Sequence, residues 1–550
     1  MAQINSTVGD LKGNVNKISK FISDAKGLGG DLVIFPELAI TGYPPQDLLL
    51  ERGFIENNKK LLKEMIKQNS VNIVGIVGFV DFKGNDLYNA AAVFKQNKLI
   101  GIIHKSLLPT YDVFDEDRYF KPAEKISPIS VKINDKIVKL GIEICEDLWD
   151  SNYDLKVTDF LVKKGAQLIV NISASPFLVG KHLERKRLLK KKAIKNRVPI
   201  FYINLIGGQD ELVFDGNSMA VDRSGKLIAY AKQFDEDLVL TKIGLKESKS
   251  KTIKPPKHDK IQEMFGALVL GIRDYFRKSG FKKAIIGMSG GIDSSVTACI
   301  GVSALGKENV IGVSMPSVFS SDHSKSDAEV LAENLGICFV KIGIQNIVDC
   351  FQKTLNQHLE KIRNCYGEKK ENDDSVADEN IQPRVRSNIL MDISNRLKEQ
   401  KILVLNTGNK TEVALGFCTL YGDMAGGIGA LGDVSKLEVY KLAAYVNKKA
   451  GKQVIPKNVF EKKPSPELKE NQFDPFNFEI VSPLVDEIIE NRRSKQELID
   501  MGYPKDIVED TYRRVRNAEY KRRQATPSIK ITPKAFGIGW KMPMVNKYRD

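Results

Sequence analysis

Short apolar runs alternate with longer amphipathic stretches over the first 245 positions. DLVIFPEL, VNIVGIVGFV, KLIGIIHK, KLGIEICED, QLIVNISASP and PIFYINLIGG are bounded by Gly, Pro or Asn and read as strands, several with helical segments between them. That alternation predicts an α/β domain over residues 1–245. Residues 246–260, KESKSKTIKPPKHDK, are rich in lysine, carry two adjacent prolines and read as a linker. From residue 261 to 550 a second pattern follows: an amphipathic helix over Ile261–Ser279, a strand in KKAIIGMS, a Gly-rich turn, a helix of small residues over Ser294–Leu305, and a strand in NVIGVSMP. This order predicts a largely parallel sheet covered by helices. Residues 366–380 are polar enough to predict a mobile loop between helices, and the tail after Glu519 is basic and interrupted by prolines.

A chain of 550 residues exceeds what one core usually holds, which supports the division into domains. With 42% hydrophobic and 28% charged residues, the composition excludes fibrous and disordered classes. No stretch approaches the roughly 20 apolar residues that span a bilayer, and the N-terminus lacks a basic segment followed by an apolar one. The reading is a cytoplasmic protein with no membrane partner. Six scattered cysteines, without CxxC or zinc-type spacing, predict reduced thiols rather than a disulfide framework.

The net charge of +15 suits an anionic partner, but it is spread over the whole length. Its densest run, Lys181 to Arg197, places Leu183, Leu188, Leu189, Ala193 and Ile194 at near-helical spacing. It reads as the solvated face of an amphipathic helix, not as a nucleic-acid site.

Three strand ends each carry a reactive residue: Glu37 in IFPEL, Lys105 in IIHKSLLP and Cys145 in IEICEDLWD. Sites in parallel α/β sheets assemble where strands end, so these residues are candidates to converge. The chemistry would be acyl transfer, with a thiol attacking an amide, a carboxylate taking its proton and an ammonium stabilising the oxyanion. Taken alone, Cys145 in an apolar run reads rather as core.

FPEL..TGYPPQDLL, HKSLLPTYDVFDEDRYF, GIEICEDLW, NISASPF and GGQDELVFDGNSMAVDRSG resemble the nitrilase superfamily, in its glutamine amidase branch, across nearly all of residues 3–230. The resemblance implies an α-β-β-α sandwich with Glu37 as general base, Lys105 as oxyanion stabiliser and Cys145 as nucleophile of a glutamyl thioester. It also implies Glu116 as a second acid near the triad, and Tyr111, Glu146, Ser175 and Lys181 as contacts to glutamine. Relatives carry several apolar residues ahead of the AQINSTVGD segment, so a clipped first strand is expected here.

IIGMSGGIDSS reads strand, Gly-rich turn, helix start. Gly290 and Gly291 permit close backbone approach, Ser289, Ser294 and Ser295 add hydroxyls, and the helix that follows would offer free N–H groups to a phosphate. The spacing is neither GxxxxGK[ST] nor GxGxxG. SGGIDSS resembles the loop of the N-type ATP pyrophosphatases, which implies ATP bound by Ser289, Gly290, Gly291, Ile292, Asp293, Ser294 and Ser295, with Asp293 on Mg²⁺. By itself this loop leaves the acceptor open.

DENIQPRVRSNILMDISN, LVLNTGNKTEVALGFCTLYGDMAGGIGALGDVSKLEVYKLA and EKKPSPELKENQFD are similar to NAD synthetases over about residues 260–490, and EYKRRQATPSIKITPKAFG to the ending of their glutamine-dependent form. This implies a doubly wound parallel sheet of the adenine nucleotide α-hydrolase type and a homodimer or larger homo-oligomer. The implied substrates are deamido-NAD⁺, ATP and glutamine. Thr407 would touch ATP and Glu412 would be a second Mg²⁺ ligand. Asn380, Arg384, Phe417, Asp423 and Lys436 would line the dinucleotide site, and Lys463 and Ser465 would belong to a loop over pyrophosphate. Ala430 and Pro466 depart from the family's residues. Two rivals stay open: an amidotransferase acting on another carboxylate, and a tRNA-thiolating enzyme using Cys338 and Cys350.

Overall fold

The computed structural model describes residues 1–69, 72–245, 252–257, 259–366 and 375–548. The chain forms two units, Met1–His258 and Asp259–Asp550. Of the expected linker, 246–251 and 258 lie outside the described residues, and 252–257 have no regular structure. Ile253 belongs with the first unit, packing against its core and donating its N–H to the Leu227 carbonyl. The linker reading runs too far at its other end. A helix spans Lys260–Ser279, and the Asp259 carboxylate caps it by accepting the Ile261 and Gln262 N–H groups.

The first unit is built on two sheets. One has the order 32–34, 74–83, 86–95, 98–104, and the other 227–230, 219–221, 200–204, 168–173, 136–144, 129–133. Ile34, Val74, Ile76, Ala91 and Val93 meet Ile142, Ile144, Val170, Ile172 and Ile203 between them. Helices Leu11–Gly27 and Arg52–Gln68 cover the outside of the first sheet, and Val157–Lys163 and Lys181–Asn196 the outside of the second. This is the α-β-β-α sandwich that the resemblance implies. Its first strand is short, Ala2–Gln3, paired with Asp237–Leu238. Strand Asp86–Lys95 lies outside the sequence reading because its centre is an alanine run, and alanine is poor in strands. The small side chains answer large neighbours, with Ala90 opposite Phe79 in the pairing.

The basic run does form a helix, Lys181–Asn196, but its burial differs from the reading. Leu183 and Ile194 are 46% and 48% exposed, whereas Arg185 and Lys192 point inward. Their partners lie far off in sequence: Arg185 Nη1 meets Asp215 at 2.6 Å and Lys192 Nζ meets Asp150 at 2.7 Å. These ion pairs fix which face turns in.

The second unit holds a five-stranded parallel sheet in the order 338–341, 310–314, 283–287, 402–406, 428–429. Strand order reverses between 283–287 and 402–406, and ligand crevices of doubly wound sheets form beyond the strand ends at such a point. At the far edge Gly429 pairs with Ser528, its N–H donating to the Pro527 carbonyl at 2.7 Å and its carbonyl accepting the Ile529 N–H at 3.1 Å. The loop expected over 366–380 is corrected at its end: helix Ser375–Arg396 already includes Asn380, and 367–374 lie outside the described residues. Among the described residues no helix is long and apolar enough to cross a membrane.

Replacing Arg185 by Ala leaves the Asp215 carboxylate buried without its cation. Urea unfolding should show a loss of about 3–5 kcal/mol, the usual cost of breaking a buried pair from one side, and less when Asp215→Asn accompanies it.

Candidate functional sites, one in each unit

Glu37 follows strand Leu32–Ile34, Lys105 follows Lys98–His104, and Cys145 ends Lys136–Ile144. The first two belong to one sheet and the third to the other. All three are buried. Lys105 Nζ donates to Glu37 Oε1 at 2.7 Å and to both Glu116 oxygens at 2.8 Å. Asn89 Nδ2 donates to Glu37 Oε1 at 2.7 Å, the Ala174 N–H to Glu37 Oε2 at 2.8 Å, and the Tyr43 hydroxyl to Glu116 at 2.9 Å.

Burial works against the Lys105 charge, but Glu116 and Glu37 outweigh it and hold the ammonium well above its usual range. Burial raises Glu116, and Lys105 only partly offsets that. Cys145 stands in a left-handed conformation, φ 45°, at the start of a short 3-10 turn. Burial pushes its thiol well above the ordinary value and Glu37 adds to this, while Lys105 opposes. Burial thus favours the protonated sulfur, the form from which a general base must take a proton.

Glu146 accepts from the Tyr111 hydroxyl at 3.0 Å and the Tyr153 hydroxyl at 3.1 Å. Ser175 is held by its N–H to Asn204 at 2.9 Å and by Arg185 Nη2 on its carbonyl at 3.0 Å. Lys181 pairs with Glu184 at 3.0 Å and lies 4.4 Å over the Trp149 ring.

In the second unit the loop after strand Lys283–Gly287 turns into helix Ile292–Leu305. Gly290 has φ 75°, and a Cβ there would come within 2.2 Å of the Ser324 carbonyl oxygen, so only glycine fits. The Ser294 and Ser295 hydroxyls return to the Gly291 carbonyl at 3.1 and 2.8 Å, and Ser289 Oγ lies 3.1 Å from Ser294 Oγ. No side chain caps this helix. Its leading N–H groups thus have no side-chain cap, an arrangement that suits an anion.

Asp293, on the first turn, accepts Lys436 Nζ at 2.6 Å and Asn409 Nδ2 at 2.9 Å. The same ammonium reaches Glu412 at 3.1 Å. Burial opposes the Lys436 charge, yet Asp293 and Glu412 hold it well above its usual range, and burial raises Glu412. Two carboxylates around one ammonium beside an open helix start suit a hard divalent cation shared with phosphate oxygens. Among the described residues no group of three or more His, Cys, Asp or Glu side chains could hold a metal by itself.

Thr407 is half-buried just beyond strand Ile402–Asn406. Asn380, Arg384 and Asp423 gather around segment 419–423. Asn380 accepts from the Thr419 hydroxyl at 2.7 Å, Asp423 from the Thr419 N–H at 2.6 Å, and Arg384 Nε donates to the Leu420 carbonyl at 3.2 Å. Phe417 packs edge-on against Phe476 at 5.3 Å instead. Ser465 accepts the Glu467 N–H at 3.1 Å, and Lys463 lies 5.7 Å from the Phe473 ring centre. Glu467 docks this loop onto Ser321 and Ser324 at 2.8 and 2.6 Å, beside a cavity of about 960 Å³ that Lys463 and Ser465 help line.

Sequence reasoning passed over Asn89, Asn409 and Asp147. Asn409 was findable, since N-K-T-E is a capping box: Asn409 accepts the Glu412 N–H and Glu412 accepts back. Asn89 sits in the alanine strand and gives no local signal.

Comparison with known proteins assigns both halves. The carbon-nitrogen hydrolase family matches residues 1–251 and the NAD synthase family residues 264–525. Over all of its length the chain is similar to the glutamine-dependent NAD(+) synthetases of Thermotoga maritima, 39% identical, and Synechocystis, 41% identical, covering 98% of each. It is also similar to the structure of glutamine-dependent NAD⁺ synthetase from Acinetobacter baumannii in complex with ADP. There the TM-score is 0.76 and identity 34%, over 99% of this chain and 98% of that one.

A raised thiol leaves little thiolate at neutral pH. Alkylation of Cys145 by iodoacetamide, followed by peptide mapping to separate it from the exposed cysteines, should accelerate with pH past the free-thiol value of about 8.5. A rate already level at pH 7 would contradict the raised thiol.

Proposed function

This chain belongs to the glutamine-dependent NAD⁺ synthetases, and from that premise we propose how its two centres divide the reaction. In the first unit glutamine lies against Glu146, Tyr111, Ser175 and Lys181. Glu37 takes the Cys145 proton as the sulfur attacks the carboxamide carbon. The Lys105 ammonium faces the oxyanion that forms, and Glu116 keeps that ammonium charged. Glu37 returns the proton to the departing nitrogen, ammonia leaves, and water cleaves the thioester to glutamate.

In the second unit the turn at Ser289, Gly290 and Gly291 and the start of helix Ile292–Leu305 receive the ATP phosphates, with Thr407 beside them. Asn380, Arg384, Phe417 and Asp423 orient deamido-NAD⁺. Its nicotinate carboxylate attacks the α-phosphorus and pyrophosphate leaves, which makes AMP the leaving group for ammonia. Asp293 and Glu412 would hold Mg²⁺ together with phosphate oxygens; when bound, it offsets the charge growing on pyrophosphate. Lys436, already between those carboxylates, supplies a second positive charge there. Lys463 and Ser465 belong to the loop that covers the leaving pyrophosphate.

The observation that carries this reading is the pairing, in one chain, of a buried Cys145–Lys105–Glu37 centre with an open helix start flanked by Asp293 and Glu412. Ammonia is mostly protonated in neutral water, so direct delivery from the first centre would present it to the second at a higher effective concentration than the bulk supplies. Six free cysteines, three of them exposed, suit a reducing, cytoplasmic setting. Helix Gln345–Tyr366 leaves Ile347, Phe351, Leu355 and Ile362 exposed along one stripe, which supports pairing with a second copy of the chain.

Purified enzyme given deamido-NAD⁺, ATP and Mg²⁺ should form NAD⁺ with glutamine or with ammonium chloride. Cys145→Ala should abolish the first and leave the second within about twofold; NAD⁺ from neither source in the parent protein refutes the assignment of the acceptor. Phe351→Glu should lower the sedimentation coefficient toward that of a monomer, and an unchanged coefficient removes this stripe as the contact.

A further inference from the structure

We propose that Asp147 is the positioning residue that sets the Cys145 thiol against Glu37 and Lys105, by tying the two sheets of the first unit together at the catalytic end. The inference rests on the reading of Glu37, Lys105 and Cys145 as the glutamine-cleaving centre.

The nucleophile and its partners come from different sheets. Glu37 and Lys105 end strands of the sheet ordered 32–34, 74–83, 86–95, 98–104, whereas Cys145 ends a strand of the other. No ladder of backbone hydrogen bonds joins them, and the apolar side chains between them are non-directional in their attraction. Reacting atoms must nevertheless be held within a few tenths of an ångström, and a misplacement of about 1 Å can cost about 100-fold in rate.

Asp147 supplies directional bonds at this seam. Its Oδ1 accepts the Ser106 N–H at 3.0 Å and the Leu107 N–H at 2.9 Å, the two amides that follow Lys105. Its Oδ2 accepts the Ile144 N–H at 3.0 Å, the amide that precedes Cys145. One buried carboxylate therefore fixes the segment bearing the ammonium and the segment bearing the sulfur. Glu37 crosses the same seam the other way, through Ala174 at the end of strand Leu168–Ser173.

The bond to Ile144 also closes the turn in which Cys145 adopts φ 45°, a conformation that persists in a residue other than glycine only when its surroundings hold it. Three amides need both oxygens of a carboxylate. Asparagine offers one oxygen and turns an N–H group toward a donor, and alanine takes the acceptor from all three amides, of which those of Leu107 and Ile144 are buried.

The test compares D147A, D147N and C145A with the parent in three assays: steady-state glutamine hydrolysis, iodoacetamide alkylation of Cys145, and ammonium-driven NAD⁺ formation. For D147A, kcat for glutamine should fall about 100-fold with KM within threefold, and Cys145 alkylation should slow at least tenfold. For D147N both rates should fall about tenfold. Ammonium-driven synthesis should stay within twofold in both. A D147N enzyme whose kcat and alkylation rate both remain within threefold of the parent overturns the proposal, whether or not D147A folds. So does a loss confined to KM. Glutamine hydrolysis that survives in C145A instead overturns the assignment of the centre on which the proposal rests.

Discussion

An ammonium held between two buried carboxylates organises the amidase unit. Lys105, Glu37 and Glu116 have side-chain exposures of 1%, 0% and 5%, and charges so far from water persist only when each has partners. The structure provides them through Asn89, Tyr43 and the Ala174 amide. In the proposed transfer the Cys145 proton passes to Glu37 as negative charge moves to the sulfur, so the site gains no new charge. The strand ends that bear these residues are arranged around this balance.

The synthetase unit repeats the motif with a different openness. Lys436 also joins two carboxylates, but Asp293 and Glu412 are 18% and 21% exposed. A closed trio suits a centre whose groups exchange a proton among themselves. A half-open one suits a centre whose carboxylates must change partners when phosphates and a cation arrive. One ammonium between two carboxylates thus stands in each unit, and the two clusters differ in access to solvent rather than in charge type.

What could be read from the residues follows their physics. Strands of branched apolar residues announced themselves; Glu37, Lys105, Cys145 and the SGGIDSS turn stand where strands stop, but Cys145 alone reads as core and only the family resemblance made it a candidate nucleophile. The alanine strand around Asn89 did not, since its reason for being a strand is the large side chains opposite it. The Lys181–Asn196 helix misled for a related cause: nothing within the run reveals that Asp215 and Asp150 wait to receive Arg185 and Lys192. Asp147 could not be read either, because its partners lie on a segment of another sheet. Residues whose role depends on distant partners are silent in a linear reading, and polar composition alone put a loop where helix Ser375–Arg396 already begins.

The edge of the synthetase sheet closes in an unusual order of synthesis. Strand 428–429 pairs on one side with 402–406, and its other side is completed by Ser528, with Asp433 accepting the Ile531 and Thr532 amides 98 and 99 residues further on. A nascent chain that has made the strand but not yet the tail therefore presents unpaired backbone N–H and C=O groups, the kind of edge on which chains join one another. The five-stranded sheet lacks that edge contact throughout that interval of translation. Completion of that edge therefore waits on the segment around Ser528.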